Sequence, residues 1–217
     1  MSEIKILIVN SLQDETLAVD IKNTIEHVSE FKPYQAHHYP IIGANSREKI
    51  LNAIEDCHTM LTLLTANASS DQLVNQCLGY AFKIKRLKNN FNTITVSDSE
   101  LRLNGLVNRE NEEIIFMDKV NREIFLHKIL WSLRKKVPDG LNSNILKLKI
   151  KCSNCRDLKG LPNEFYGFVS SQNDINRTYS GGKKSLSYFC PFCGATNEIN
   201  ILTFENISLK IQTPITA

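Results

Sequence analysis

Along the first 136 residues, short continuous apolar runs alternate with apolar positions at helical spacing. Ile4 to Val9 is apolar except for one lysine, the pattern of a strand buried on both faces. Asp14 is placed to cap a helix whose apolar positions are Leu17, Ile21, Ile25 and Val28. Pro33 and Pro40 bracket YQAHHY, which suits a short edge strand. Ser46 can cap a helix with Ile50, Leu51 and Ile54 facing inward. Thr59 to Thr65 reads as the next strand, and Thr65 to Ser70 as a polar loop. Leu73, Cys77, Ala81 and Ile84 then recur at helical spacing over Asp71 to Arg86, with Asp71 as N-cap. Phe91 to Val96 and Glu113 to Met117 read as two further strands, with a polar, irregular stretch from Ser97 to Asn111. Asp118 is placed to cap a last helix with Val120, Ile124, Ile129, Leu130 and Leu133 on its apolar side.

Strands alternating with helices predict an α/β fold: a flavodoxin-like parallel sheet flanked by helices. Such sheets bind ligands beyond the carboxyl ends of their strands. The loop from Thr65 to Ser70 would lie there. Pro138, Asp139 and Gly140 end the pattern, so we assign residues 1–137 to the first domain and 138–147 to a linker. Residues 148–217 form a small β-rich domain. In it Tyr166–Ser171, Leu186–Phe189 and Asn197–Phe204 read as strands, with Asn173–Lys184 as a polar loop.

The chain has 217 residues, 42% of them hydrophobic, enough for one ordinary domain and a small one. No stretch of 18 apolar residues is present, so no membrane-spanning helix is expected. The N-terminal MSEIKILIVNS reads as a strand rather than a signal peptide, and a cytoplasmic location follows. Net charge is +3. From Leu141 onward 9 Lys and Arg stand against 5 Asp and Glu, a local excess of +4. That excess alone is too small to specify a nucleic-acid partner.

The cysteines change the picture most. Cys57 and Cys77 stand alone, whereas Cys152, Cys155, Cys190 and Cys193 form two CxxC pairs, KCSNCR and FCPFCG. Without an export signal, paired CxxC motifs read as a metal site before disulfides. Four thiolates with no histidine suit structural, tetrahedral Zn²⁺ and leave no open position for catalysis. Iron of the rubredoxin kind can use the same ligands. The 34 residues between Cys155 and Cys190 fit a zinc ribbon with a long hairpin insert. Arg156, Lys159, Arg177, Lys183 and Lys184 are available to phosphates. Tyr166, Phe168, Tyr179, Tyr188 and Phe192 are available to bases, if the small core does not need them.

Three stretches of the first domain carry a family resemblance: ILIVNSLQDETLAVDIKNTI, REKILNAIEDCHTMLTLLT and SSDQLVNQCLGYA. In order and spacing they resemble the first strand and helix, the second helix and third strand, and the third helix of Toll/interleukin-1 receptor (TIR) domains of the prokaryotic type. LRLNGLVNRENEEIIFMD is similar to the family's last strand region. The resemblance covers about residues 3 to 136. It implies self-association and a nucleotide crevice. Asn10, Ser11 and Asp14 would lie beyond the first strand, with Ser70, and with Gly43 and Arg47 in the loop that enters the second helix. Many TIR domains cleave the glycosidic bond of NAD, where a carboxylate faces an oxocarbenium-like ribosyl cation, as in glycoside hydrolysis. In this chain the family's catalytic glutamate falls at Cys77 and its preceding tryptophan at Leu73. A thiol is mostly neutral at pH 7. Asp71 is the nearest acid that could stand in, although its place suits an N-cap. His37 and His38 read as surface residues, His58 and His127 as structural ones.

These residues together read as a TIR-like signalling or scaffold protein. Its first domain would self-associate or recognise NAD or a related nucleotide, and its ribbon would dock a protein partner, with no membrane contact. Two alternatives remain beside it. One is an NAD nucleosidase or cyclase using a displaced acid. The other is a nucleic-acid-associated regulator.

Overall fold

The computed structural model describes residues 3–38, 46–98, 113–118, 120–136, 145–155, 160 and 162–208. They form two compact units, Met1–Glu26 with Glu30–Gly140, and His27–Ser29 with Leu141–Ala217. No described helix is long and apolar enough to cross a membrane.

The first unit opens with β1 (Ile4–Val9), α1 (Glu15–Glu26), β2 (Phe31–Gln35) and α2 (Ser46–Asp56). It continues with β3 (Thr59–Leu64), a short α3 (Ala66–Ser69), α4 (Gln72–Leu87), β4 (Asn92–Ser97), β5 (Glu113–Phe116) and α5 (Arg122–Lys135). The five strands are all parallel, in the order β2-β1-β3-β4-β5. That is the flavodoxin-like order, in which strand order reverses between β1 and β3. The apolar runs account for it. Every residue of β3 is buried, and so are Ile6, Leu7, Ile8 and Val9 of β1, as a sheet covered on both faces requires. One core cluster joins Leu7 and Val9 to Ile54 of α2 and to Val74, Cys77 and Ala81 of α4.

The elements differ from the sequence pattern at five places. The expected loop from Thr65 to Ser70 contains the short α3, which Thr65 caps. β2 contains Pro33 rather than lying between Pro33 and Pro40, because it is the edge strand of the sheet, where a missing N–H is tolerated. Asp14 does not cap α1. It ends a 3-10 turn (Leu12–Asp14), and its carboxylate is taken by other partners. Val28 lies beyond α1 and bridges Leu148. Val120 is 89% exposed, because α5 starts only after Asn121; Asp118 instead accepts the backbone N–H groups of Val120 and Asn121 in the turn before it.

The second unit consists of two antiparallel hairpins with a helix between them. β6 (Leu146–Lys151) pairs with β7 (Glu164–Val169), α6 (Gln172–Ser180) follows, and β8 (Ser185–Phe189) pairs with β9 (Thr196–Asn200). His27–Ser29 belong here because Ser29 N–H donates to the Lys147 carbonyl and Lys149 N–H to that of His27. The stretch expected as a polar loop, Asn173–Lys184, is mostly α6. Ser171 caps it, accepting the Asp174 N–H at 3.1 Å, while the Asp174 carboxylate accepts the Ser171 hydroxyl at 2.6 Å. Ile175 is its one buried residue, too faint an apolar stripe for the sequence to announce a helix. The third expected strand, Asn197–Phe204, ends at Asn200 and turns.

Candidate functional site

The switch point between β1 and β3 holds a polar cleft of about 480 Å³. The loop after β1 supplies Ser11 and Gln13; the α3 turn and the start of α4 supply Asn67, Ser70 and Asp71. Beneath it, Asp14 is buried and ties the two loops together. Its carboxylate accepts hydrogen bonds from the hydroxyls of Ser11 at 2.7 Å and Thr65 at 2.5 Å, and from the Asn67 amide at 2.9 Å. Thr65 in turn caps α3 by accepting the Ala68 N–H at 3.1 Å. Asp71 is the N-cap of α4, accepting the N–H groups of Leu73 and Val74 at 2.8 and 3.2 Å. Both acids thus hold backbone and loops, and Asp71 keeps one face toward the cleft.

Asn10 is fully buried at the end of β1. Its amide donates to the Ser11 carbonyl at 2.8 Å and to Glu15 at 3.2 Å, and Glu15 also accepts from Gln35 at 3.0 Å. His37 Nε2 lies 3.1 Å from the Asn10 carbonyl oxygen. Glu15 and Gln35 carried no signal in the sequence, since one reads as a helix-start acid and the other as a strand polar residue.

A second, largely apolar pocket of about 650 Å³ lies between α2 and α4. Ile50 and Leu51 of α2 face Leu73, Cys77 and Tyr80 of α4 across it, with His37 and Lys83 at its polar points. Tyr80 donates its hydroxyl to Glu55. His37, read as a surface histidine, is exposed and at the same time lines this pocket. Cys77 is only 2% exposed and belongs to the core cluster as well as to the pocket wall. Burial, and next the nearby Asp71 charge, push its thiol up to about 12. It is a neutral, apolar side chain at pH 7.

The candidate residues therefore divide between two cavities. Ser11, Ser70 and Asp71 line the polar cleft, Cys77 lines the apolar pocket, and Asn10 and Asp14 are buried as supports. Gly43 lies outside the described residues, as does the side chain of Arg47. The structural histidines behave as expected: His58 Nδ1 accepts the Lys5 N–H at 3.1 Å, and His127 is buried edge-on to Trp131.

In the second unit the sulfurs of Cys152, Cys155, Cys190 and Cys193 all lie within 4.8 Å of one another. Cys152 and Cys193 are 3.6 Å apart, and so are Cys155 and Cys190. Disulfide bonding needs about 2.05 Å, and the cysteines are free thiols. Four sulfurs at 2.3 Å from one tetrahedral ion would be about 3.8 Å apart, so the spacing fits a metal such as zinc. The loops have matching backbone geometry. Cys155 N–H points at the Cys152 sulfur at 3.4 Å. In the second loop Gly194 N–H donates to the Cys190 carbonyl, and Gly194 takes φ +73°, a conformation only glycine adopts without strain. Burial raises the Cys155 thiol, while the Ala195 N–H and then Asn154 draw Cys193 down to about 6. Asn197, which the sequence did not single out, is fully buried behind the cluster. Arg156 and Lys159 lie outside the described residues.

No family model matches the sequence, and no curated protein is similar to it. Among solved structures, the chain is similar to the TIR domain of the Toll-related receptor TRR-2 from the lower metazoan Hydra magnipapillata. The identity is 14% and the TM-score 0.48, over 59% of this chain and 97% of that one.

Proposed function

We propose that this chain is a TIR-like signalling or scaffold protein that recognises a nucleotide-sized ligand with its first unit and does not cleave NAD. In this reading the first unit also self-associates, and the second, held by zinc on Cys152, Cys155, Cys190 and Cys193, docks a partner. The observation that carries it is Cys77. It stands where the sequence resemblance places a glutamate, and it lines a cavity of about 650 Å³, large enough for a nucleoside. Its burial keeps the thiol neutral, so the pocket lacks at that position the fixed negative charge that a ribosyl cation requires.

The displaced-acid alternative finds less support. Asp14 is occupied by three donors and Asp71 by two backbone N–H groups, so using either against a cation would weaken a loop or a helix start. The decisive experiment is NAD consumption by the purified protein beside a Cys77→Glu variant. No turnover by the natural protein is expected, and turnover by the variant alone would identify a pocket complete but for its acid. Turnover by the natural protein would overturn the reading. Self-association is tested by light scattering of the same sample with and without nucleotide.

A further inference from the structure

The outer face of the β6–β7 hairpin has a composition that the metal cluster does not explain. Inward, Leu146, Leu148 and Ile150 of β6 and Phe165 and Val169 of β7 are buried. Outward, β6 presents Lys147, Lys149 and Lys151, and β7 presents Glu164, Tyr166 and Phe168. The two aromatic rings are 56% and 63% exposed, so the small core does not use them. Tyr166 and Phe168 are neighbours on one face of one strand, so they form an exposed aromatic pair and not two scattered residues.

The register sorts these side chains into two parallel rows. Lys147 lies opposite Phe168, Lys149 opposite Tyr166, and Lys151 opposite Glu164. One row is cationic and the other aromatic. The Lys147 ammonium sits 4.1 Å from the centre of the Tyr166 ring, so the rows touch. Lys149 is paired with Glu164 at 2.9 Å. Neither Lys147 nor Lys151 has a carboxylate partner among the described residues.

We propose that this face binds single-stranded nucleic acid, with Tyr166 and Phe168 stacking successive bases, the Lys147 ammonium moving off the Tyr166 ring to meet a phosphate, and Lys151 meeting another alongside. The partner's chemistry follows from spacing and charge. Residues two apart on one strand face are separated by about 6.8 Å. That is twice the 3.4 Å step per strand of a duplex. Rings so spaced suit bases unstacked from one another, as in an extended single strand, and not a closed helix. A lysine row beside an aromatic row matches a polymer with anions along one edge and flat rings along the other. An extended peptide has the same spacing on one face, so the comparison that decides is dT12 binding against protein capture. The proposal rests on the docking role given above to the second unit and names its partner.

The test uses the full chain, its zinc content measured on the same preparation, and fluorescence anisotropy with labelled dT12, U12 and a 12-base-pair duplex. Both single strands should bind more tightly than the duplex. The log of the binding constant should fall with log salt at a slope of about −1.4 for two lysine contacts. Tyr166→Ala and Phe168→Ala should each weaken dT12 by roughly fivefold or more. Lys147→Ala with Lys151→Ala should flatten the salt slope, and Glu164→Gln should tighten binding. These exposed positions leave the buried face intact, which circular dichroism will check. Failure to bind either single strand at low salt, or binding indifferent to the aromatic pair, would overturn the proposal. So would a protein partner captured by this face with dT12 unbound. Zinc present without dT12 binding would sink the nucleic-acid assignment alone. Binding without zinc would support it and remove the zinc-held reading instead.

Discussion

The side-chain oxygen of Asn197 accepts the backbone N–H of Ser153 at 2.9 Å, across 44 residues of sequence. This bond joins the first CxxC loop to β9, just after the second. The Asn197 amide also donates to the Ala195 carbonyl at 3.1 Å and reaches the Cys152 sulfur at 3.8 Å. One buried residue thus touches both cysteine loops and a sulfur of the cluster. Partners of this kind fix the orientation of metal ligands and tune their basicity. Asn197→Ala should therefore lower zinc affinity about 10- to 100-fold, read by competition with a chromophoric chelator. An affinity unchanged by the substitution would show that the two loops are held by the cysteines alone.

The four thiols should hold one zinc per chain. The second unit has small cores under each hairpin and little else to close them, and metal binding in such units supplies folding free energy directly. Cys190→Ser with Cys193→Ser should abolish bound zinc and expose the amides of β6 to β9 to hydrogen exchange. The amides of β1, β3 and β4, which sit in a core made without metal, should stay protected. Mass spectrometry of exchanged fragments distinguishes the two sets. Metal analysis that returned iron, or nothing, would refute the zinc assignment at once.

Gly167 faces inward between Phe165 and Val169, and a Cβ added there would lie 2.7 Å from the Tyr188 ring and 2.8 Å from Ile150 Cδ1. Tyr188 is further fixed by its hydroxyl, which donates to the Phe168 carbonyl at 3.0 Å. The ring that links the two hairpins therefore rests where only hydrogen fits. Gly167→Ala should destabilise the second unit by about 1–3 kcal/mol through overpacking, seen as a lower urea midpoint for the hairpin amides. A midpoint that did not move would mean that Tyr188 can turn aside at little cost.

The parallel sheet was legible because β1 is apolar except for Lys5, β3 is apolar except for Thr59 and Thr62, and α4 has four apolar residues at helical spacing. The clustering of the four cysteines was legible from their spacing alone. Other features depended on tertiary context. Asp14 looks like a helix cap in sequence, but the chain brings Thr65 and Asn67 to it from 51 and 53 residues away, and those donors win. α6 is built on one cap and one buried isoleucine, so its polar sequence resembles a loop. Asn197 is an ordinary strand residue until folding places Ser153 and Cys152 beside it. Six residues at about 100° each set Cys77 on a different side from Asp71, but that each side has its own cavity depends on α2 and on the loop after β1, which only folding brings there.

Two buried thiols give the first unit a distinctive alkaline response. Burial pushes both Cys57 and Cys77 up to about 12, from an ordinary value near 9. Desolvation is the main cause at each, since a thiolate there would sit among apolar side chains. Below pH 9 both thiols are protonated in the folded and unfolded chains alike, and the full stability is present. Above pH 9 the unfolded chain loses these protons while the folded one keeps them, so stability falls as pH rises toward 12. Each thiol contributes a slope of at most about 1.4 kcal/mol per pH unit in that window. Urea midpoints measured from pH 8 to 11 should therefore drop more steeply for the natural protein than for a Cys57→Ala, Cys77→Ala variant, even though the variant starts lower through its lost packing. The same burial makes Cys77 slow to react with a thiol reagent at pH 8 until the protein is unfolded. Equal alkaline slopes for the two proteins, or rapid labelling of Cys77 in the folded state, would show that the pocket admits water to the sulfur and would reopen it as an ionisable, ligand-facing group.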